Sequence, residues 1–129
     1  MILFASSFGF DLAALAKKLV SHPFLSAFNI NDLSFGNEEI FENLFDDKEI
    51  RIERIISTGQ KTPEGNWLCE EENEWVLLLQ GNSIISFESD EKFEMKQGDY
   101  LFIPSGKRHR VEFTSVNPHC IWLAIHSKI

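Results

Sequence analysis

The feature that most limits how this chain can fold is a series of short apolar segments between residues 74 and 126. Each segment is five to eight residues long and is bounded by turn-forming residues such as Gly81-Asn82, Gln97-Gly98 and Pro104-Ser105-Gly106. Short segments with Gly and Pro between them are typical of strands in an all-β sandwich or barrel. The predicted strands cover residues 74–80, 83–88, 92–96, 99–103, 108–113 and 119–126.

The residues before these strands have a different pattern. Asp11 is a candidate N-cap for a short helix whose apolar residues recur at helical spacing, and Pro23 closes it. Residues 37–45 predict a second short amphipathic turn or helix, with four apolar side chains on one face: Ile40, Phe41, Leu44 and Phe45. We therefore expect an N-terminal extension over residues 1–36 and a β-barrel domain over residues 37–129.

The charge balance argues against two classes of partner. The 129 residues include 12 Lys and Arg against 20 Asp and Glu, a net charge of −8. Because phosphate contacts need clustered basic residues, we expect no nucleic acid and no membrane as partner. No segment reaches the roughly 18 apolar residues that span a bilayer, and the first ten residues lack the basic start of a secretory signal. We expect a cytoplasmic protein with Cys69 and Cys120 reduced, the alternative being one disulfide.

The most specific spacing lies between Gly98 and His109, in the sequence Gly-Asp-Tyr-Leu-Phe-Ile-Pro-Ser-Gly-Lys-Arg-His. Gly98 begins a turn into a strand, and Pro104 ends that strand. Gly106 then lets the backbone reverse, so that His109 returns on the next strand. The segment resembles the second motif of the cupin superfamily, G-x5-P-x-G-x2-H, at every named position. The Asn that follows in that motif is Phe113 here.

The first cupin motif, G-x5-H-x-H-x3,4-E-x6-G, is half present, because Glu74 and Gly81 match its end. The positions of its two histidines hold Trp67 and Cys69, or Leu68 and Glu70. Over residues 37–126 the chain also resembles a narrower group of small bacterial cupins, in which T-P-x-G-x-W precedes E-W-V-x-L-L-x-G. The resemblance implies a single jelly-roll β-barrel. It implies little about activity, since cupins include dioxygenases, isomerases, decarboxylases, sugar epimerases and inert binding proteins.

Metal-binding cupins hold a divalent ion with three His and one Glu, and the resemblance carries only Glu74 and His109 over to that set. Two ligands are fewer than the three or four that hold zinc or iron in proteins. The candidates to complete the set are Cys69, Glu70 and His126. These donor types suit zinc, iron or manganese, and no organic cofactor is indicated. The alternative is that the acidic run 70–74 is a solvated turn and that His109 is an ordinary core histidine.

Two further groups of side chains are candidates for contacting a small-molecule ligand. Residues 50–56 alternate as a strand does, which places Arg51 and Glu53 on one face. The two residues form a polar clamp if that face lines the barrel, and an ordinary surface ion pair if it lies outside. The outer position is the expectation. Three aromatic residues are candidates for the wall of the binding site, namely Trp75, Tyr100 and Phe102.

These observations predict a small cupin-fold protein that binds a divalent metal inside the barrel and binds or acts on a small polar molecule. The alternative is a metal-free small-molecule-binding or sensor protein without catalysis. A third hypothesis is a barrel that serves mainly in assembly, because 12 Phe and an apolar N-terminal segment favour burial between subunits. Small cupins are commonly dimers, so a homodimer is expected. The sequence assigns neither a reaction nor a substrate.

Overall fold

The computed structural model describes residues 26–128, and all regular structure in this range is β-strand. The predicted all-β class is therefore confirmed, and each strand predicted between residues 50 and 126 begins and ends within one residue of its expected position. The strands are β1 (Ile40–Asp46), β2 (Ile50–Ser57), β3 (Asn73–Gln80), β4 (Asn82–Phe87), β5 (Lys92–Lys96), β6 (Tyr100–Ile103), β7 (His109–Thr114) and β8 (Cys120–Ser127). The helix predicted after Asp11 lies outside the described residues. Between residues 26 and 128, no helix has the length and hydropathy needed to span a membrane.

The eight strands form two antiparallel sheets that face each other. The larger sheet has the order β1-β2-β8-β3-β6, and the smaller sheet has the order β5-β4-β7. From β3 onward the chain passes back and forth between the two sheets, which is the arrangement of a jelly roll. Strand β8 lies between β2 and β3, so that Ile125 is opposite Ile52 on one side and Trp75 on the other. The expected jelly-roll barrel is confirmed.

The apolar core lies between the two sheets because alternate side chains of each strand point inward. On β3, Val76 and Leu78 are buried, while Leu77 between them faces the outside of the larger sheet. The core cluster is Val76, Leu78, Ile85, Phe87, Met95, Ile103, Cys120, Trp122 and Ala124. Several of these residues also form the floor of a cavity described below.

Residues 37–45 do not form the predicted helix. Strand β1 (Ile40–Asp46) occupies most of this segment and pairs with β2 from Ile40 opposite Ile56 to Asp46 opposite Arg51. A bulge between Asn43 and Phe45 shifts the alternation by one residue. Because of that shift, apolar residues occur at 40, 41, 44 and 45, a spacing that resembles the period of a helix. The hydrogen bonds to β2 determine the strand, and they cannot be read from local spacing.

Candidate functional site

A cavity with a volume of about 380 Å³ lies between the two sheets. Its apolar part is formed by side chains from both sheets, including Ile55, Val76, Ile85, Ile103, Val111 and Trp122. Its polar part is formed by Glu39, Arg51, Glu53, Glu70, Glu74, His109 and His126. The cavity therefore has the mixed lining that small-molecule sites in proteins have.

Arg51 and Glu53 line the cavity, so the expectation that they lie outside was wrong. Alternation along β2 places four residues on the inner face, ending with Ile55 and Ser57. The opposite face of β2 carries Ile52, which is matched by Ile125 on β8. The outer face of this sheet is thus apolar, and the inner face is polar at this end. Apolar faces of strands usually lie inside a barrel, and applying this rule to β2 assigned the wrong face to the inside.

Strands β2 and β8 bring a carboxylate and an imidazole together inside the cavity. His126 Nε2 lies 2.7 Å from Glu53 Oε1, and Arg51 Nη1 lies 2.6 Å from the same oxygen. Arg51 Nη2 also donates to Glu72 Oε1 at 3.3 Å. His126 is 4% exposed and Glu53 is 8% exposed, so the pair is shielded from water. The cluster holds one oxygen between two donors.

This arrangement favours the charged forms of both partners. Burial alone lowers the pKa of His126, but the hydrogen bond to Glu53 and the charge of Glu74 outweigh it and raise the pKa above its ordinary value. Burial alone raises the pKa of Glu53, but the bonds from His126 and Arg51 outweigh it and lower the pKa. Both shifts therefore stabilise the ion-paired form of the contact between His126 and Glu53.

One nitrogen of His126 has no partner. Its Nδ1 is buried and makes no hydrogen bond to any of residues 26–128. In the imidazolium form this nitrogen carries a proton, and a buried donor without an acceptor costs about 1–3 kcal/mol. A ligand oxygen in the cavity is one way to satisfy it.

Glu74 and His109 complete the polar end of the cavity. Glu74 on β3 is directly opposite His126 on β8. Burial raises the pKa of Glu74, and the nearby His126 and His109 oppose this rise without cancelling it. His109 Nδ1 lies 2.9 Å from the Lys107 carbonyl oxygen. Since a carbonyl only accepts, Nδ1 carries a proton and donates it to this oxygen.

Backbone contacts fix the positions of His109 and Glu70. Residue 68 and His109 exchange two backbone hydrogen bonds, of 2.7 and 3.0 Å, as an isolated bridge. Gly106, with φ of +76°, donates its N–H to the Glu70 carbonyl oxygen at 2.8 Å. The turn that precedes β7 is thereby joined to the segment that carries Glu70. This is the structural consequence of the Pro104-to-His109 spacing.

Four of the sequence-predicted residues do not line the cavity. Cys69 is exposed and is not part of the lining, whereas its neighbour Glu70 lines the cavity. Trp75, Tyr100 and Phe102 lie on the outer face of the larger sheet, where the Trp75 and Tyr100 rings are 5.4 Å apart. Because Glu74 and Val76 face inward, alternation sends Trp75 outward. The proposed aromatic wall is instead supplied by Trp122.

Sequence reasoning missed four polar residues of the site: Glu39, Ser57 and Thr114 line the cavity, and Glu72 contacts Arg51. Ser57 lines the cavity, accepts a hydrogen bond from Trp122 Nε1 at 3.1 Å and donates one to a Glu39 oxygen. Glu72 is the second partner of Arg51. Continued alternation along β2 would have indicated Ser57. No local signal marks Glu39, which precedes β1.

The residues as placed do not fit a metal ion. Within residues 26–128, no three His, Cys, Asp or Glu side chains converge closely enough to hold one ion. Nε2 of His126 is bonded to Glu53, and Glu53 is bonded to the Arg51 cation. The remaining candidates, Glu74 and His109, are too few to complete a zinc or iron site. Both cysteines are free thiols, and Cys120 is buried in the core.

Comparisons with known proteins agree with this fold. The sequence profile of the Cupin domain family matches residues 56–126. A protein of Ralstonia eutropha JMP134, provisionally assigned as a mannose-6-phosphate isomerase, is 37% identical, with 82% of this chain and 98% of that chain covered and a TM-score of 0.75. No curated protein matches the chain significantly.

Two more distant structures share the fold alone. A cupin superfamily protein of Desulfitobacterium hafniense DCB-2 is 20% identical, with 74% of this chain and 82% of that chain covered and a TM-score of 0.62. The polyketide cyclase RemF of Streptomyces resistomycificus is 19% identical, with 72% and 67% covered and a TM-score of 0.59.

Proposed function

Because the chain belongs to the cupin family, we propose that it binds a small polar molecule in the cavity between its sheets, without a metal ion. The volume of about 380 Å³ lies within the range of small-molecule sites. The polar end of the cavity positions the ligand, and the apolar floor around Trp122 and Val76 takes up its hydrocarbon part.

The observation that carries this proposal is the unpartnered nitrogen of His126. His126 lines the cavity and is held by Glu53 through Nε2, and its Nδ1 has no hydrogen-bond partner among residues 26–128. Buried polar groups in folded proteins are nearly always satisfied. A ligand that supplies the missing acceptor accounts both for the cavity and for the open nitrogen.

A fragment library tested by protein-observed NMR on chelator-treated protein examines this proposal. We expect fragments that compete with one another and that shift the indole N–H resonance of Trp122. Binding is lost in His126→Asn and kept in His119→Asn, because His119 lies outside the cavity and bonds to the Val116 carbonyl. Equal binding by both variants, or binding that appears only after a divalent metal is added, contradicts the proposal.

A metal-dependent cupin enzyme is the second candidate. The observation in its favour is that Glu74, His109 and His126 line one cavity. A carboxyl group and an imidazole in one site are also the groups that general acid–base chemistry uses. Elemental analysis of protein purified without chelator separates the two candidates. We expect far less than one ion per chain; one zinc, iron or manganese per chain favours the second candidate.

We also propose that the protein is a cytoplasmic homodimer. The outer face of the larger sheet carries an apolar row across four strands, formed by Ile52, Ile125, Trp75 and Phe102. Phe102 is 51% exposed, which is costly for a large apolar ring in water. Sedimentation is expected to give twice the chain mass of 14.9 kDa and to give the monomer for Phe102→Glu. A monomeric wild-type protein contradicts this proposal.

A further inference from the structure

We infer that the cavity selects a small amino alcohol: an ammonium group for its unpaired carboxylates, a hydroxyl oxygen for His126, and an apolar body for its floor. The inference rests on the proposed function, because it concerns the ligand of the same cavity. It begins from the charge of the lining, which holds four glutamates against one arginine and two histidines.

Among residues 26–128, the lining of the cavity offers an anionic ligand no arginine or lysine that is free of a carboxylate partner. Arg51 donates to Glu53 at 2.6 Å and to Glu72 at 3.3 Å, so two carboxylates already balance its charge. His126 is paired with Glu53 through Nε2. His109 is held through Nδ1 by the Lys107 carbonyl oxygen. A phosphate or carboxylate entering the cavity therefore meets mostly negative charge, and like charges brought together cost several kcal/mol.

Three carboxylates in the lining have no cationic partner. Glu39, Glu70 and Glu74 form none of the ion pairs within the described part of the chain. Glu39 accepts a hydrogen bond from Ser57. The charge of Glu70 acts on Glu74 and disfavours its ionised form. An ammonium group near Glu70 and Glu74 offsets this repulsion and supplies three N–H donors to their oxygens.

The hydroxyl part of the ligand follows from a separate observation. His126 is 96% buried, being 4% exposed, and its Nδ1 has no partner among residues 26–128. A hydroxyl group satisfies this nitrogen in either state of the ring, because it accepts a hydrogen bond from an N–H and donates one to a bare nitrogen. It also adds no negative charge beside Glu74.

Four probes of one carbon skeleton separate the two requirements. The probe 2-amino-1-phenylethanol carries both groups, 2-phenylethylamine lacks the hydroxyl, 1-phenylethane-1,2-diol lacks the charge, and mandelate replaces the ammonium by a carboxylate. Affinity is measured by calorimetry on the full chain, and the indole N–H of Trp122 reports binding in the cavity. We expect the amino alcohol to bind at least about tenfold more tightly than mandelate, and more tightly than either probe that lacks one group.

Glu70→Gln tests the charge directly, because the Glu70 side chain is exposed at the cavity and makes no ion pair. The matched control is Glu94→Gln, an exposed carboxylate on β5 outside this cavity. We expect Glu70→Gln to reduce the preference for the amino alcohol over mandelate and Glu94→Gln to leave it unchanged. An equal effect of both variants overturns the inference.

The outcome also distinguishes this inference from the proposed function. Mandelate that binds as tightly as the amino alcohol and shifts the Trp122 resonance overturns the ligand class and supports a binding cavity. If none of the four probes binds, the ligand class is overturned, and the fragment library decides separately whether the cavity binds small molecules.

Discussion

Replacing Glu53 by Gln preserves the shape of the side chain and removes its charge. Glu53 Oε1 accepts hydrogen bonds from Arg51 at 2.6 Å and from His126 at 2.7 Å. Removing one partner of a buried ion pair costs about 3–5 kcal/mol. The side chain of Arg51 is 31% exposed and keeps Glu72 as a partner, so the lower end applies. We expect Glu53→Gln to lose about 3 kcal/mol of unfolding free energy at pH 6, or roughly 10 °C in Tm.

The loss depends on pH in a direction that the ion pair determines. The pKa of Glu53 is lowered, so its stabilising contribution is present above the unfolded pKa and is lost as the pH falls through the folded pKa. Burial and the charge of Arg51 lower the pKa of His126, but Glu53 and Glu74 outweigh them, so the pKa is raised. The stabilising contribution of His126 is therefore present below the unfolded pKa and is lost as the pH rises through the folded pKa. The difference between wild type and variant is therefore largest at about pH 5–6.

Urea unfolding at pH 4, 6 and 9 measures this difference. Glu88→Gln is the matched control, since Glu88 pairs with Arg108 at 2.8 Å and both side chains are more than half exposed. Such a surface pair contributes less than about 1 kcal/mol. A loss for Glu53→Gln that equals the control, or one that is constant from pH 4 to 9, refutes the assignment of a buried ion pair.

Two further predictions concern stability. Gly81→Ala is expected to lose about 3 kcal/mol of unfolding free energy, because φ is +93° and the new Cβ would lie 2.9 Å from Cys120 Sγ. Gly65→Ala is expected to lose only about 1 kcal/mol, because its φ is +83° but the space around it is open. Equal urea midpoints for the two variants contradict this contrast. Glu74→Gln is expected to become more stable relative to wild type as the pH rises from 5 to 8, because burial raises the pKa of Glu74 and the wild type loses stability when this carboxyl ionises. This prediction is contradicted if the urea midpoints of wild type and Glu74→Gln change equally between pH 5 and 8.

Most of the fold could be predicted from the sequence, because its strands are short, alternating and bounded by residues with special backbone requirements. The motif from Gly98 to His109 also indicated a turn that returns His109 to the barrel, and the structure places that side chain in the cavity. Strand β1 was not predictable, because a bulge gives its apolar residues the spacing of a helix. Its pairing with β2 depends on contacts that are distant in sequence.

The site was only partly predictable, for a physical reason that β2 illustrates. Alternation shows that Arg51 and Glu53 share a face, but not which face is inside. The choice depends on the whole sheet, whose outer face is apolar around Trp75. Similarly, the acidic run around Glu70 has no regular alternation, so its orientation is determined by a hydrogen bond to Gly106.

The two backbone links from the segment around Glu70 to the turn before β7 have a consequence for redesigning this protein. Loops beside binding sites are usually the places where insertions are tolerated and new specificity is engineered. Here residue 68 is bonded to His109 and Glu70 to Gly106, so a change in loop length would displace the imidazole as well. Specificity is therefore better altered by exchanging side chains at fixed length, with Glu70 as the first position to vary.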